Sequence, residues 1–332
     1  MLVGFAVGDA LGAPAAGLRA SDVLLANGPL SGFVSNPSHP LLGHLKPGQY
    51  TENTRLLLDA VRDCIASRGF DPTRRARSLG RWAEQVQRDG PGARWPGPTT
   101  LAASHPWKST GRLVPQSSES IGGLYRVPPI SVLPKRVQVM QAARNEVRLT
   151  HDSSESQAAG AILALLLHGL LSDQDIPHAA TIALRDIERA AGRTSVGSRS
   201  ASALTYSEST LEERRQVLGT GAVALESLPL SLHISSRYPR DFSRAVVAAA
   251  NSFRPDWVKP SMPCNSMADE LINVNGGNTD GIAALTGCIL GAALGIRAIE
   301  ERWKSVEGYE EIVFLGHELV SALIADPAPA AR

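Results

Sequence analysis

Apolar residues recur along this chain at the spacing of a helix face. Between Arg55 and Ser67, Leu57, Leu58, Val61, Cys64 and Ile65 form a stripe with a period near 3.6, which predicts a helix with one side against a core. Similar patterns predict helices near 72 to 87, 135 to 149, 155 to 171, 177 to 191, 210 to 226, 241 to 251, 280 to 300 and 308 to 324. No strand-length run alternates polar with β-branched residues, so the expected class is all-α with at least nine helices. Pro- and Gly-rich stretches at Asn27 to Gln49 and Gly90 to Pro134, and a Ser-rich one at Arg193 to Ser209, are read as long loops, the kind that form binding surfaces or lids.

The stretch Asp280 to Arg297 stands apart. Gly287, Gly291 and Gly295 recur every fourth residue, although a glycine inside a helix costs about 1 kcal/mol relative to alanine. A neighbouring helix packed closely along that face offsets the cost, so this helix is expected at the centre of the molecule. Its N-terminus is then an interior position.

Two polar clusters each open an apolar, helix-like stretch: Thr51-Glu52-Asn53-Thr54, and Gly276-Gly277-Asn278-Thr279-Asp280. Carboxylate and amide oxygens at two helix mouths can hold hard cations or sugar hydroxyls. The Gly-Gly turn can also turn N–H groups toward an anion, with an ordinary turn before an Asn278 cap as the alternative. Because the clusters lie near opposite ends of the chain, one domain over 1 to 325 is expected. The stretch Asp326 to Arg332 is read as a disordered tail.

Composition narrows the function. The 332 residues are 43% hydrophobic with a formal net charge of +1 and no basic block, which gives no long-range field for nucleic acid or an anionic membrane. The apolar stretch Met1 to Leu18 lacks a basic flank and is interrupted by Asp9, so it is not read as a targeting signal. No uncharged apolar run is long enough to span a bilayer. Cys64, Cys264 and Cys288 show neither pairing count nor metal spacing and are read as core thiols in a reducing compartment. The expectation is a soluble, cytoplasmic protein.

Four segments carry a family resemblance: Gly4-Phe5-Ala6-Val7-Gly8-Asp9-Ala10-Leu11-Gly12; Gly48-Gln49-Tyr50-Thr51-Glu52-Asn53-Thr54; Thr150-His151 with the helix through Gly160-Ala161; and Val274-Asn275-Gly276-Gly277-Asn278-Thr279-Asp280. In that order they resemble the ADP-ribosylglycohydrolases, including the enzyme that reverses ADP-ribosylation of dinitrogenase reductase. The resemblance implies a single-domain orthogonal multi-helix bundle with a central cleft, usually two Mg²⁺ ions, and hydrolysis at C1″ of an ADP-ribosyl group. It also implies Thr51, Glu52, Asn53, Asn278 and Asp280 as the metal positions.

Several positions depart from the family pattern. Glu52 and Asn53 stand where two aspartates are usual, Asn278 and Gly281 where an aspartate and a threonine are usual, and Ala15 or Ala16 where a glutamate is usual. The family's Asn-Gly-x-x-Met-Arg stretch is altered to Ile121-Gly122-Gly123-Leu124-Tyr125-Arg126. Glu52 and Asp280 neutralise one divalent ion, not two, so at most one Mg²⁺ is expected, or none. The amides of Asn53 and Asn278 can instead hydrogen-bond ribose hydroxyls or carboxylates.

The expected catalytic pair is Glu52, which activates water, and Asp280, which stabilises positive charge in an oxocarbenium-like state. Glu119 and Glu155 are further candidates for the absent acid. Expected substrate contacts are Asn53, His151, Gly276, Gly277, Asn278, Gly122, Gly123, Tyr125 stacking on adenine and Arg126 pairing with phosphate. Asp9 is read as a buried hydrogen-bonder, and Trp95, Trp107 and Trp257 as cleft borders or core anchors. Three readings follow: a glycohydrolase of an ADP-ribosyl or related nucleotide sugar with an altered one-metal or metal-free centre, a catalytically inactive ADP-ribose binder, or a structural protein. The partner is a nucleotide-sugar metabolite or an ADP-ribosylated substrate.

Overall fold

In the computed structural model, residues 1–205, 209–254 and 276–324 are described. The expected disordered tail at 326 to 332, Trp257, Cys264, Val274 and Asn275 lie outside them. Among the described residues the regular structure is helical, as the sequence pattern predicts. In chain order the helices are α1 (Leu2–Gly12), α2 (Ala20–Asn27), α3 (Glu52–Ser67), α4 (Pro72–Asp89), α5 (Pro98–Ser104), α6 (Trp107–Thr110), α7 (Arg136–Arg148) and α8 (Ser154–Leu170). There follow α9 (Ile176–Ala191), α10 (Ser195–Leu204), α11 (Leu211–Leu218), α12 (Ala224–Arg237), α13 (Phe242–Ala250), α14 (Thr279–Leu294) and α15 (Tyr309–Ile324).

The small-residue face of α14 meets the small-residue face of α1. A Cβ on Gly4 would fall on the Gly287 carbonyl, one on Gly8 on the Ala283 carbonyl, and one on Gly12 on the Thr279 carbonyl. Residue numbers rise on one helix as they fall on the other, so the two run antiparallel at backbone contact. Residues Thr279 to Gly291 are all buried, and α12 and α13 flank the pair. The apolar helix α8 is the second interior element, enclosed by α7, α9 and α12. The close neighbour expected for the glycine series is therefore α1.

Four expectations change. The stretch Gly90 to Pro134 is not a loop throughout, since α5 and α6 lie within it. The Ser-rich stretch after Arg193 is not a loop throughout: Thr194 caps α10 by accepting from Gly197 N at 3.1 Å, and Glu155 accepts from Ser195 N and Val196 N at 2.8 Å each. The segment 210 to 226 breaks at Gly219 (φ 79°), and a further helix, α12, follows with Pro229 inside it. In α12, Ser231 and Ser235 donate to the carbonyls of Ser227 and Ser231, so these hydroxyls are satisfied within the helix. Finally, α14 stops at Leu294, because Gly295 turns into the left-handed region at φ 73°.

Two positions of α4 determine what surrounds the site. Its buried face carries Arg75, Leu79, Trp82 and Val86. Arg75 joins Asp63 at 2.5 Å and Glu146 at 3.1 Å, and Arg126 reaches the same Glu146 at 2.6 Å, a buried chain of alternating charges that ties α3, α4, α7 and the turn at Ile121–Arg126 together. Charges at that depth persist only when paired.

Candidate functional site

Asp9, in the middle of α1, is the anchor of the site. Its carboxylate accepts from Thr51 N (3.2 Å), Thr51 Oγ1 (2.8 Å), Thr54 N (3.0 Å) and Thr54 Oγ1 (2.6 Å). It thereby satisfies donors at the start of α3, which helix geometry leaves without partners. This is the structural role expected for Asp9. With the mouth of α3 fixed, Asn53 points across to α14, where its Nδ2 donates to Asp280 Oδ2 at 2.9 Å. The two polar clusters therefore converge.

The mouth of α14 is equally constrained. Thr279 Oγ1 donates to the Gly12 carbonyl at 2.8 Å and Asn278 N to the Thr220 carbonyl at 2.7 Å. Gly276 is packed on the backbone of Gly17 and Leu18, and Gly277 on the Ser252 carbonyl, so both glycines serve backbone contact. Asn278 Nδ2 donates to Ser227 Oγ at 3.0 Å and to the Tyr125 hydroxyl at 3.3 Å.

Asn53, Asn278, Asp280, Tyr125, Gly277 and Gly122 share the wall of a cavity of about 990 Å³. That volume lies at the upper end of the range for small-molecule sites. Among the described lining residues Asp280 is the only carboxylate, and no lysine or arginine is present. Thr99, Thr100, Ser117, Ser118 and Ser120 form a hydroxyl-bearing side, while Leu41, Val86, Trp95 and Leu101 form an apolar one.

Burial, opposed by the N–H groups of Gly281 and Asp280 and by Asn53, raises the Asp280 carboxyl to about 6. Burial and then the Asp280 charge raise Asp9 to about 7, against the donors of Thr54 and Thr51. The same two causes push the Tyr125 phenol well above its usual value.

Other expected site residues are placed elsewhere. Glu52 does not line the cavity: Oε1 accepts from Arg55 at 2.7 Å and Oε2 from Trp82 Nε1 at 2.8 Å. Thr51 directs its hydroxyl to Asp9, so it does not present a free ligand oxygen. Arg126 cannot pair with a phosphate, because it is fully buried and bonded to Glu146, Thr150 and the Gly122 carbonyl. Gly123 and Gly276 are not lining residues; Gly123 packs on Val147 and the His151 ring. Tyr125 is buried, in T-shaped contact with the Phe5 ring 5.9 Å away, and its hydroxyl accepts from Asn278.

His151 also stands behind the wall. Its Nε2 meets Ser120 Oγ and its Nδ1 meets Thr150 Oγ1, each at 2.8 Å, and burial, then the Arg126 charge, lowers it to about 3. Its partner Ser120 lines the cavity. Glu155 spends both oxygens on α10, and Glu119 does not line the cavity. Trp107 lies on α6, packed over Gly80 of α4.

Trp95 does border the cavity, and its backbone adds something that its sequence context does not reveal. It holds φ 56°, a left-handed conformation costly for a bulky residue, and its buried indole N–H has no hydrogen-bond partner. The Arg94–Glu307 ion pair and the hydrogen bond from Glu52 N to the Arg94 carbonyl (2.9 Å) fix the chain just before it. A lone tryptophan in a Pro/Gly-rich loop carries no sequence signal for such strain.

The family model described as ADP-ribosylglycohydrolase matches residues 1–328. The chain belongs to the ADP-ribosylglycohydrolase family. Membership makes it a glycosidase-type hydrolase. It is 25% identical over 352 residues to the ADP-ribosylhydrolase ARH3 of Bos taurus, covering 96% of this chain and 90% of that protein. The Homo sapiens ARH3 is 27% identical over 306 residues, covering 81% and 78% respectively. A solved structure titled ADP-ribosylglycohydrolase-related protein complex superimposes with a TM-score of 0.72 over 97% of this chain and 96% of that one, at 23% identity, a likeness of fold. No described helix of this family member is long and apolar enough to cross a membrane.

As a donor set for the family's ions, the five expected residues do not fit together. Thr51 and Glu52 are engaged elsewhere, and Asn53 and Asn278 present N–H groups to their partners. Among the described residues, no group of three or more His, Cys, Asp or Glu is arranged to hold a metal.

Proposed function

We propose that this enzyme hydrolyses the N-glycosidic bond at the ribose C1 of an ADP-ribosyl group or a related nucleotide sugar, from a modified macromolecule or a small metabolite, with an altered centre. The supporting observation is the meeting of Asn53 and Asp280 on the wall of a nucleotide-sized cavity. Asp280 takes both roles that chemistry requires, including the water activation that the sequence reading gave to Glu52. Its carboxylate faces C1, stabilises the oxocarbenium-like state and accepts a proton from the attacking water. The C1–N bond breaks with its electron pair on nitrogen, and the proton held by Asp280 passes to that nitrogen.

The surrounding residues orient the substrate. Asn53 holds the carboxylate by one oxygen, Oδ2. The Tyr125 hydroxyl, fixed by Asn278, hydrogen-bonds a ribose hydroxyl. Hydroxyls of Thr99, Ser117, Ser118 and Ser120 meet the phosphates, and Trp95 with Leu41 encloses the base.

The test is chromatography of free ADP-ribose after incubation with arginine-, serine- and small-molecule-linked ADP-ribose. Release by the wild type from the arginine-linked or another N-linked substrate, and its loss in Asp280→Asn, support the reading; release from the serine-linked substrate alone, an O-glycoside, overturns its N-glycosidic part. No release from any substrate, with no calorimetric binding of ADP-ribose, overturns it; binding without release leaves a sequestering protein.

A further inference from the structure

We infer that this centre has exchanged the divalent ions of its family for hydrogen bonds and works with none. The inference deepens the hydrolase reading by fixing the state of its centre. Two carboxylates facing each other need a cation or a shared proton between them. Here one partner of the facing pair is an amide, and Asn53 Nδ2 already donates to Asp280 Oδ2 at 2.9 Å. The N–H takes up a carboxylate oxygen that an ion would otherwise use, and it costs no dehydration, whereas Mg²⁺ gives up water reluctantly.

The second substitution is reciprocal in space. A side chain at position 281 would begin where the Tyr125 hydroxyl and the Asn278 amide now stand: a Cβ built on Gly281 overlaps both. The family's threonine at this position is therefore incompatible with Tyr125 as placed. The hydroxyl fills the vacated volume and is held there by Asn278 Nδ2, which Ser227 Oγ anchors in turn. Gly281 is thus a companion of Tyr125: its missing side chain lets two neutral polar groups sit beside Asp280.

Among the described residues, the other carboxylates beside Asp280 are already engaged. Asp9 accepts four hydrogen bonds from Thr51 and Thr54, and Glu52 is bound to Arg55 and Trp82. Among the described lining residues Asp280 alone carries a formal negative charge toward the cavity, half of what one divalent ion needs.

The experiment uses the full chain and needs no turnover, so it separates this inference from the hydrolase reading. Mn²⁺ is titrated into the wild type and followed by electron paramagnetic resonance of the free ion, with melting recorded in millimolar MgCl₂ or EDTA. An unchanged free Mn²⁺ signal and the same melting temperature in both solutions are expected. Saturable Mn²⁺ uptake by the wild type that Asp280→Asn abolishes overturns the inference.

The Gly281–Tyr125 relation has its own readout. Gly281→Ala is expected to lower the melting temperature by several degrees, and Tyr125→Phe to remove at least half of that loss when the two are combined. A loss of equal size in both backgrounds overturns the reciprocal pairing.

Discussion

Asn53 Nδ2 lies 2.9 Å from Asp280 Oδ2, a contact between residues 227 positions apart in sequence that joins the mouths of α3 and α14. This hydrogen bond orients the carboxylate toward the cavity. Asn53→Ala removes a bond to a charged group, an interaction of about 1.5–3 kcal/mol. The expected result is a fall in kcat of about ten- to a hundredfold with a lower melting temperature, while Asp9 still secures the helix mouth. Single-turnover release of ADP-ribose measures it.

The Asp280 carboxyl titrates high, at about 6, because it is buried. In the proposed mechanism hydrolysis uses its charged form, so kcat/KM is expected to fall as pH drops through about 6. Stability runs the opposite way. A carboxyl whose folded value exceeds its unfolded one contributes stability at low pH and loses it as pH rises through the folded value. The melting temperature of Asp280→Asn, relative to wild type, should therefore become more favourable between pH 5 and pH 8 as the buried charge is deleted. A pH-independent difference would count against a carboxyl titrating near 6.

Glu52 offers a sharper contrast between position and role. Its two oxygens serve Arg55 and Trp82, so Glu52→Gln is expected to lower stability by about 1–3 kcal/mol while kcat stays within about threefold. Denaturant titration and steady-state kinetics on the same preparation read both. A thousandfold loss of kcat without a change in stability would return Glu52 to the role of base.

Much of this arrangement was legible in the sequence, and the gaps have physical causes. The period of apolar residues located most of the long helices, and the glycines of α14 announced a partner at backbone contact. Residue type also singled out Asn53, Asn278 and Asp280, which the fold brings to one cavity wall. Sequence could not show which way Glu52 or Arg126 would turn, because that depends on Trp82, Arg55 and Glu146 arriving from other elements. Pro229 and the serines of α12 hid a helix whose hydroxyls find partners only once it is folded.

Gly8 sits where α1 touches α14. A Cβ there would overlap the Ala283 carbonyl, so Gly8→Ala must push two interior helices apart. Any gain in helix propensity, about 1 kcal/mol, is outweighed by overpacking of about 1–3 kcal/mol and by disturbance of the Thr279–Gly12 tie at the site. The expected outcome is a lower midpoint in chemical denaturation together with reduced activity, whereas a change at an exposed helix position would alter neither.

Trp95 sets local strain against binding. Its φ of 56° costs about 1–3 kcal/mol for a residue of its bulk, and it sets Trp95 at the cavity wall, with the indole N–H buried and the ring in T-shaped contact with His39 5.7 Å away. Trp95→Gly relieves the backbone and deletes the ring. Stacking of a base on an aromatic side chain contributes about 1–3 kcal/mol, so the affinity for ADP-ribose should fall about ten- to a hundredfold. Trp95→Ala keeps the strain and loses the ring, so it should match the glycine variant in affinity but melt lower. Calorimetry and melting curves of the two variants together separate the aromatic contribution from the backbone one: equal melting temperatures would mean that the left-handed conformation carries no strain, and undiminished affinity that the base does not rest on this wall.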